Sequence, residues 1–284
     1  MTIRASISML PFLSLVLLTS SFTPVNAQNN KWIRIDDFES ADPMDNWTLA
    51  DTRNDTNPRV ENPQVTEVRA EAEGNHFLIK KPAAEGVIGN RKALSYRKLP
   101  VPVKVGEMYT FYVRFNVEYF PNNHVFGLSN LESEGINQHD YNAFESILRI
   151  TDKYESDGTK NDGTLMVRED EGYVKIRNDR TGEIAQPLQT NIWYEAWMVV
   201  DNRSAEEGGQ TYDVYLRRGD EFPKQQLVYA GADFRMKREL PLIYFLANCN
   251  TGPVDNPYGN GGLKYDDMYM VSGVVLTTPT DQFE

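Results

Sequence analysis

The sequence predicts an all-β protein built as an antiparallel β-sandwich, and three observations support this. Apolar and polar residues alternate with a period of two, many short runs of this kind follow one another, and glycine-containing turns separate them. No apolar stripe with helical spacing extends beyond about two turns. Short strands with a turn every ~8–12 residues are typical of a sandwich or jelly roll.

The alternation is clearest between residues 109 and 117. The odd positions form an apolar or aromatic face, which predicts a strand with one side in the core and one in water. Residues 192–200 are apolar at both parities, which is typical of a central strand that is covered twice. Further strands are predicted near 32–38, 76–80, 92–97, 124–128, 143–150, 164–169, 173–177, 211–217, 226–230, 241–247 and 263–271.

The polar segment 40–64 interrupts this pattern and is interpreted as a long surface loop. It carries Asp, Asn and Pro and few apolar residues. Trp47 lies in it and is a candidate sugar-stacking platform. The remaining pattern shows no repeat and no low-complexity linker, so we expect one domain over about 30–280.

Residues 1–27 have the features of a secretory signal peptide. Arg4 provides a positive start, residues 9–18 form an apolar stretch, and Val25-Asn26-Ala27 matches a small-residue cleavage site. The apolar stretch is too short to span a bilayer. We therefore expect a mature chain that begins near Gln28, is secreted or periplasmic, and has no membrane attachment after cleavage.

The charge balance limits the partners. The chain has 29 Lys and Arg against 41 Asp and Glu, giving a net charge of −12. Such an excess of acid argues against nucleic acid as a partner. The single cysteine, Cys249, excludes a disulfide framework and a cysteine-rich zinc site. Because the protein is expected to be exported, its partner is expected to be extracellular or periplasmic.

Three segments resemble the concanavalin A-like, or LamG-like, jelly-roll domains of secreted bacterial carbohydrate-active proteins. They are the acidic start 35–39 (IDDFE), the central segment 191–202 (NIWYEAWMVVDN) and the closing segment 263–270 (LKYDDMYM). The resemblance implies a jelly roll that acts on or binds carbohydrate. The fold alone does not distinguish binding modules from hydrolases and lyases.

The two acidic chain ends predict a structural calcium site. In such jelly rolls the first and last strands commonly lie side by side, which would bring Asp37 and Glu39 close to Asp267. Clustered carboxylates repel one another unless a hard cation binds them, and calcium takes ~6–8 oxygen ligands. The alternative is that both strand ends are simply solvated.

Basic and aromatic residues on the non-core side of several strands predict a binding surface for an anionic polysaccharide. Arginine pairs with carboxylates through two parallel hydrogen bonds, and tyrosine offers a flat face with a hydroxyl. Uronate or sulfated polymers fit these groups. Alternatively, these residues only balance nearby carboxylates. The candidates are Tyr112, Arg114, Arg149, Arg168, Tyr173 and Lys175.

A polysaccharide lyase is the alternative function. β-Elimination needs a group that neutralises the uronate carboxylate, a base for the α-proton and an acid for the leaving oxygen. Gln138, His139, Arg149 and either Tyr258 or Tyr265 are the candidates. The strand motifs of alginate lyases are absent, so binding of polysaccharide is the first expectation. An interaction module without a sugar ligand is the third.

Overall fold

The computed structural model describes residues 31–279, which contain fifteen strands, one α-helix and two 3₁₀ helices. The elements in chain order are β1 (Ile33–Asp36), β2 (Trp47–Asn54), β3 (Val65–Ala70), β4 (His76–Lys81), β5 (Asn90–Val103), β6 (Met108–Val117), β7 (Asn123–Ser129), α1 (Ser133–His139), η1 (Asp140–Ala143), β8 (Phe144–Thr151), β9 (Met166–Glu169), β10 (Gly172–Lys175), β11 (Trp193–Asp201), η2 (Ala205–Glu207), β12 (Thr211–Arg218), β13 (Phe222–Asp233), β14 (Leu242–Cys249) and β15 (Leu263–Ser272).

The strands form two antiparallel sheets. The eight-stranded sheet has the order β13-β12-β11-β6-β15-β4-β3, with β1 paired to β15. The seven-stranded sheet has the order β10-β9-β8-β7-β14-β5-β2. The all-β antiparallel sandwich predicted from the sequence is confirmed. The predicted signal peptide lies outside the described residues, and no described helix is long and apolar enough to cross a membrane.

The main core lies between the two sheets. Phe111, Val113 and Phe115 of β6 face inward, as their alternation predicts. Phe126 of the opposite sheet packs at 5.6 Å from the Phe115 ring and 5.3 Å from the Tyr265 ring, measured between ring centres. Tyr265 is fully buried there. Its predicted role as a catalytic acid is therefore wrong, because core packing keeps it away from any surface cleft.

The acidic start of the domain is a structural element. The buried carboxylate of Asp36 accepts hydrogen bonds from the indole N–H of Trp47 at 2.8 Å, from the backbone N–H of Phe38 at 3.1 Å, and from Arg97. The Phe38 and Trp47 rings stack at 6.0 Å. Trp47 is therefore a core residue, and its prediction as an exposed sugar platform is wrong.

Residues 47–54 form β2, although the segment 40–64 was expected to be a loop. β2 is the edge strand of the seven-stranded sheet and pairs with β5. Only its first residue, Trp47, is fully buried. An edge strand with two largely polar faces lacks the apolar alternation by which a strand is recognised in a sequence.

A short segment between β7 and β8 covers part of the outer face of the seven-stranded sheet. Ile136 of α1 and Ala143 of η1 are buried against Tyr96, Val125 and other outer-face residues. This second small core is separate from the core between the sheets. We call residues 131–143 the wall segment, because its Tyr141 lines one side of an open cleft on this face.

Candidate binding cleft

An open cleft of about 770 Å³ lies on the outer face of the seven-stranded sheet. Its lining carries seven cationic side chains and only three carboxylates, although the chain as a whole has a net charge of −12. We call it the cationic cleft. Its cationic residues are Arg53, Arg91, Lys92, Arg149, Lys153, Arg168 and Arg235, and its tyrosines are Tyr141, Tyr173 and Tyr258.

Strand alternation places the central arginines. In β8, Leu148 and Ile150 point into the main core, so Arg149 between them points outward. In β9 the inward residue is Val167, and Arg168 follows it on the outer side. The same period of two that builds the core therefore places these guanidinium groups in the cleft.

Tyr173 is the aromatic centre of the cleft. It pairs with Arg168 in the register of β10 and β9. The guanidinium carbons of Arg149 and Arg168 lie 4.8 and 5.6 Å from the centre of its ring. Arg235 donates a hydrogen bond to its hydroxyl at 3.2 Å. Cations within about 6 Å of a ring face are attracted by the ring quadrupole, so the ring stabilises this concentration of positive charge.

Tyr141 of the wall segment gathers two further cations. The guanidinium carbon of Arg235 lies 4.7 Å from its ring centre, and Nζ of Lys92 lies 5.2 Å from it. The Tyr141 and Tyr173 ring centres are 6.4 Å apart in an edge-to-face arrangement. Burial raises the pKa of Tyr141 well above its usual range, so its hydroxyl keeps its proton at neutral pH.

Glu155 fixes the opposite side of the cleft. Its carboxylate accepts hydrogen bonds from Arg149 at 2.5 Å, Lys153 at 2.6 Å and Asn161 at 2.7 Å. Partial burial alone would raise the pKa of Glu155, but Lys153 and Arg149 lower it overall. This one carboxylate orients two of the cations and ties the loop after β8 to the sheet.

A buried glutamate positions Arg235. Glu145 accepts hydrogen bonds from the backbone N–H groups of Met236 and Lys237 at 2.9 and 3.0 Å, and from Arg238 at 2.9 Å. The backbone N–H of Arg235 itself donates to the carbonyl of Glu145 at 2.9 Å. The segment after β13 is thereby fixed on the end of β8, and Arg235 is directed into the cleft.

Three of the cleft cations, Lys92, Arg168 and Arg235, form no ion pair with a carboxylate among residues 31–279. Arg168 donates instead to the backbone carbonyls of Glu171 and Gly172. Its buried Nε has no hydrogen-bond partner. A cleft with unneutralised guanidinium and ammonium groups is complementary to an anion.

Lys92 is electrostatically unusual. Its pKa is lowered, first by burial and further by the charges of Arg235, Arg53 and Arg91, whereas Asp140 opposes the shift. A lysine with a lowered pKa gives up its proton more readily than an exposed lysine. Lys92 is therefore a candidate for proton exchange with a bound ligand.

The structure brings together Arg149, Arg168, Tyr173 and Tyr258 from the set predicted for substrate binding or catalysis. Lys175 is on the same strand as Tyr173 but pairs with Asp162 at 2.7 Å and does not line the cleft. Tyr258 lies at one end, where Nζ of Lys153 is 5.2 Å from its ring centre.

Tyr112 and Arg114 belong to the eight-stranded sheet and face away from the cleft. Tyr112 is buried between Trp32 and Trp197, with ring centres at 6.1 and 5.1 Å. Arg114 pairs with Asp266 and Asp267 at 3.3 and 3.0 Å. The expectation that these two residues share a surface with Arg149 is wrong, because the outer faces of the two sheets point in opposite directions.

Gln138 and His139 do not lie in the cleft. Both are exposed near the end of α1 and are absent from the residues that line it. The sequence predicted a polar loop directly ahead of β8, and the short helix instead directs the pair toward solvent. The catalytic roles predicted for them do not fit this position.

The three carboxylates predicted to bind calcium lie near the paired ends of β1 and β15, but each is bonded to a basic side chain. Asp37 bonds Arg34 at 2.6 Å, Glu39 bonds His76 at 2.8 Å, and Asp267 bonds Arg114 at 3.0 Å. Within residues 31–279 no group of three or more His, Cys, Asp or Glu side chains is arranged to hold a metal ion. The three carboxylates have the oxygen donors that calcium prefers, but they are not gathered into one ligand cluster.

Sequence reasoning missed Lys92, Tyr141, Lys153 and Arg235, as well as Arg53 and Arg91. Lys92 could have been identified from the sequence, because it is the first residue of the strand predicted over 92–97. The others lie on the missed strand β2, at a strand start or in loops, and their convergence depends on the order of strands in the sheet.

No protein-family model matches the sequence, and no curated protein matches it. Solved structures do resemble the fold. A Bauhinia forficata lectin in complex with GalNAc has 9% identity and a TM-score of 0.44, covering 86% of this chain and 98% of the lectin. The exoplasmic/lumenal domain of VIP36 in a Ca²⁺- and Man3GlcNAc-bound form has 8% identity and a TM-score of 0.45, covering 85% and 91%.

A PL-14 alginate lyase from Aplysia kurodai has 12% identity and a TM-score of 0.47, covering 73% of this chain and 87% of the lyase. These proteins share the concanavalin A-like jelly-roll fold, the class that the resemblance of the sequence implied. The likeness concerns the fold alone.

Proposed function

We propose that the protein binds an anionic polysaccharide, of the uronate or sulfated class, in the cationic cleft. The main observation in support is that seven cationic side chains line one open cleft, although the chain has a net charge of −12. Three of these cations have no carboxylate partner among the described residues. An acidic protein retains such a surface at an electrostatic cost, which an anionic ligand offsets.

The cations are placed for different tasks. Arg149 and Lys153 are already oriented by Glu155, so they meet a ligand with little loss of side-chain entropy. Arg235 and Lys92 are held against Tyr141 and present charge without a competing carboxylate. Guanidinium groups bind carboxylate or sulfate oxygens through paired hydrogen bonds, which gives orientation as well as affinity.

The tyrosines favour a saccharide over a small inorganic anion as the ligand. Tyr141, Tyr173 and Tyr258 are partly exposed, and each ring lies beside one or more of the cleft cations. Aromatic faces pack against the apolar faces of sugar rings, and phenol hydroxyls bond the sugar hydroxyls. A lining that combines charge with aromatic surface suits a polymer that carries anionic groups on its sugar rings.

Titration calorimetry against a panel of soluble polysaccharides tests the proposal. We expect binding to uronate or sulfated polymers and none to neutral glucans, with affinity falling as salt screens the charges. Arg235→Gln should weaken binding about tenfold, as expected for the loss of a charge-assisted hydrogen bond. Arg69→Gln is the matched control, because Arg69 is an exposed arginine on β3, outside the cleft. Equal affinity for neutral polymers would refute the proposal.

Cleavage of a uronate polymer by β-elimination is a second candidate function, favoured by Lys92. In that reaction a base takes the proton beside the carboxylate, a double bond forms, and the glycosidic oxygen leaves with a proton. Lys92, with its lowered pKa, is the candidate base, and Arg149 and Arg168 are candidates to neutralise the uronate carboxylate. Tyr141, which keeps its proton at neutral pH and lies beside Lys92, is the candidate acid.

Ultraviolet absorbance of the conjugated double bond distinguishes the two functions. A binding protein gives a flat trace on every polymer that it retains. A lyase gives a rising trace, which Lys92→Met should slow by ~10²–10⁴-fold, the range for loss of a general base. Lys175→Met is the control, because Lys175 lies outside the cleft. A rate that survives Lys92→Met would exclude Lys92 as the base.

Export of the protein remains a proposal that is supported by residues 1–27 of the sequence. A polysaccharide of this class is an extracellular ligand, so export and ligand are consistent. Mass spectrometry of the protein recovered from its native host should give a mature chain that begins at Gln28. Recovery of the chain with residues 1–27 intact would contradict export by this route.

Calcium is not part of the function that we propose, because the predicted ligands are engaged by Arg34, His76 and Arg114. The prediction from the sequence is still testable. A bound ion stabilises the folded state in proportion to RT ln(1 + [L]/Kd). If Asp37, Glu39 and Asp267 bind calcium, millimolar calcium raises the melting temperature and Asp267→Ala abolishes the rise. From the ion pairs we expect equal melting curves in calcium and in EDTA.

A further inference from the structure

A second groove of about 530 Å³ adjoins the cationic cleft. Lys153 and Tyr258 line both, so the two cavities meet at this pair of side chains. Lys153 is held in place by Glu155 at 2.6 Å and lies over the Tyr258 ring. The two cavities are therefore neighbours, and a chain that extends past Lys153 and Tyr258 would enter the second one. We call the second cavity the Tyr154 groove.

The lining of the Tyr154 groove differs in character from that of the cleft. It contains two acidic residues, Glu85 and Asp152, and two basic residues, Lys153 and Lys160, so its charges balance. The rest is largely apolar or aromatic, with Ile88, Pro121, Tyr154, Pro257 and Tyr258. Charge attraction cannot be the main source of affinity in such a groove, whereas contact with a ring face can.

Tyr154 is the residue that suggests a ligand. Its side chain is 63% exposed, the highest value among the large apolar and aromatic residues described. It lies in a hairpin in which Tyr154 bridges to Lys160, and the backbone N–H of Glu155 donates to Thr159 at 2.8 Å. Nζ of Lys160 is 4.6 Å from its ring centre. The ring is exposed to solvent, yet the hairpin holds it in place. This arrangement is expected of a residue that contacts a ligand.

The floor of the groove is equally ordered. The side chain of Asn260 donates to the carbonyls of Ala84 and Val87 at 2.7 and 3.0 Å. The backbone N–H of Gly261 donates to the carbonyl of Pro121 at 2.9 Å. At Gly259, whose φ is +100°, a Cβ would lie 2.7 Å from Pro121, so the two segments touch directly. A preformed groove binds with a smaller loss of entropy than one that must order on binding.

We propose that the Tyr154 groove holds the continuation of the polysaccharide chain bound in the cationic cleft, with a sugar ring stacked on Tyr154. This inference rests on the proposed function and adds a rule of specificity. Units in the cleft are recognised by their anionic groups, whereas the unit on Tyr154 is recognised by its ring face and needs no charge. The protein thus prefers long chains, including those in which charged and uncharged units alternate.

Calorimetry with oligosaccharides of increasing length, prepared from the polymer that binds best, tests this. For the wild-type protein we expect affinity to rise about three- to tenfold once the chain is long enough to reach Tyr154, the gain expected from one aromatic contact. Tyr154→Ala should remove this gain and leave short oligosaccharides unchanged. The gain should also persist in high salt, since it does not arise from charge. Tyr215→Ala, a partly exposed tyrosine on β12, is the matched control.

The outcomes separate the two proposals. If wild-type protein binds short and long oligosaccharides equally, or if Tyr154→Ala weakens both to the same degree, the Tyr154 groove is not a subsite and the proposed function stands. If no anionic oligosaccharide of any length binds, the proposed function itself fails and the inference fails with it. Circular dichroism of Tyr154→Ala confirms that the fold is retained.

Discussion

The guanidinium carbon of Arg149 lies 4.8 Å from the centre of the Tyr173 ring, and Glu155 bonds the same guanidinium at 2.5 Å. Arg149 is therefore held between an aromatic face and a carboxylate on the outer side of β8. Burial alone would lower its pKa, but nearby Tyr141 and Glu155 raise it overall. The group remains charged at any physiological pH, so pH changes near neutrality should not switch it off.

Tyr173 should contribute through its ring more than through its hydroxyl. Tyr173→Ala removes the surface on which Arg149 and Arg168 lie, and we expect affinity for the anionic polymer to fall about five- to tenfold. Tyr173→Phe keeps the ring and loses the bond from Arg235 and the hydroxyl contact with Tyr141, so it should weaken binding less. Titration calorimetry measures both. Equal losses in the two variants would show that the hydroxyl, not the ring, carries the effect.

The wall segment should unfold independently of the sandwich. Ile136 is the one buried residue of α1 and belongs to the small outer core. We expect Ile136→Ala to increase hydrogen exchange within residues 131–143 and to weaken polymer binding through displacement of Tyr141, with little change in global melting.

Leu148→Ala is the contrasting variant, since Leu148 is buried in the main core. It should lower the free energy of unfolding by about 2–5 kcal/mol. A comparable global loss in Ile136→Ala would contradict the separation of the two cores.

Asp266 should make the protein less stable as pH rises. Burial raises its pKa to about 7, the charge of Asp267 adds to the rise, and Asn75 and Arg114 oppose it. The folded state thus binds this proton more tightly than the unfolded state, whose pKa is near 3.9, and stability is lost as pH rises from about 4 to about 7. Asp266→Asn should therefore raise the stability at pH 8 by on the order of 2–4 kcal/mol and have little effect at pH 4.

Thermal unfolding of Asp266→Asn at both pH values measures this difference. Asp255→Asn, an exposed loop residue, is the matched control and should behave as wild type at both. The same shift at pH 4 and pH 8 would mean that the carboxyl does not titrate in this interval.

The bond between Trp47 and Asp36 should matter for stability and not for binding. Trp47→Phe removes an indole donor from a buried carboxylate and should cost about 1–3 kcal/mol in urea unfolding. Asp36→Ala should cost more, about 3–5 kcal/mol, because it leaves Arg97 without its buried partner. Neither variant should change polymer affinity once it is folded. A loss of affinity in folded Trp47→Phe would restore the idea of Trp47 as a sugar platform.

The sequence pattern predicts the sandwich well because most strands bury one face. Alternation identifies residues such as Phe111 and Val113 without any knowledge of their partners. It fails at β2, whose edge position leaves both faces mostly polar. The pairing of β1 with β15 was expected from the resemblance. The structural role of Asp36 was not, because it depends on Arg97, 61 residues away, and no local sequence pattern shows that contact.

The cleft could be predicted only in part, for a related reason. Arg149, Arg168 and Tyr173 were found because each is an outward residue of a strand predicted from alternation. Alternation does not say which sheet a strand joins, and Arg114, outward in its own sheet, therefore faces the opposite side of the protein. Tyr141 and Arg235 meet only because a helix and a loop fold over the same sheet.

The small outer core beneath the wall segment shapes the cleft, whereas the main core between the sheets stabilises the protein. Ile136 and its neighbours pack on the outside of the seven-stranded sheet, whereas the sandwich is stabilised from within. Redesign of residues 131–143 is therefore a route to a wider or narrower cleft with the scaffold unchanged. Substitutions in this segment are therefore the first to try in fitting the cleft to another ligand, with the strands left unchanged.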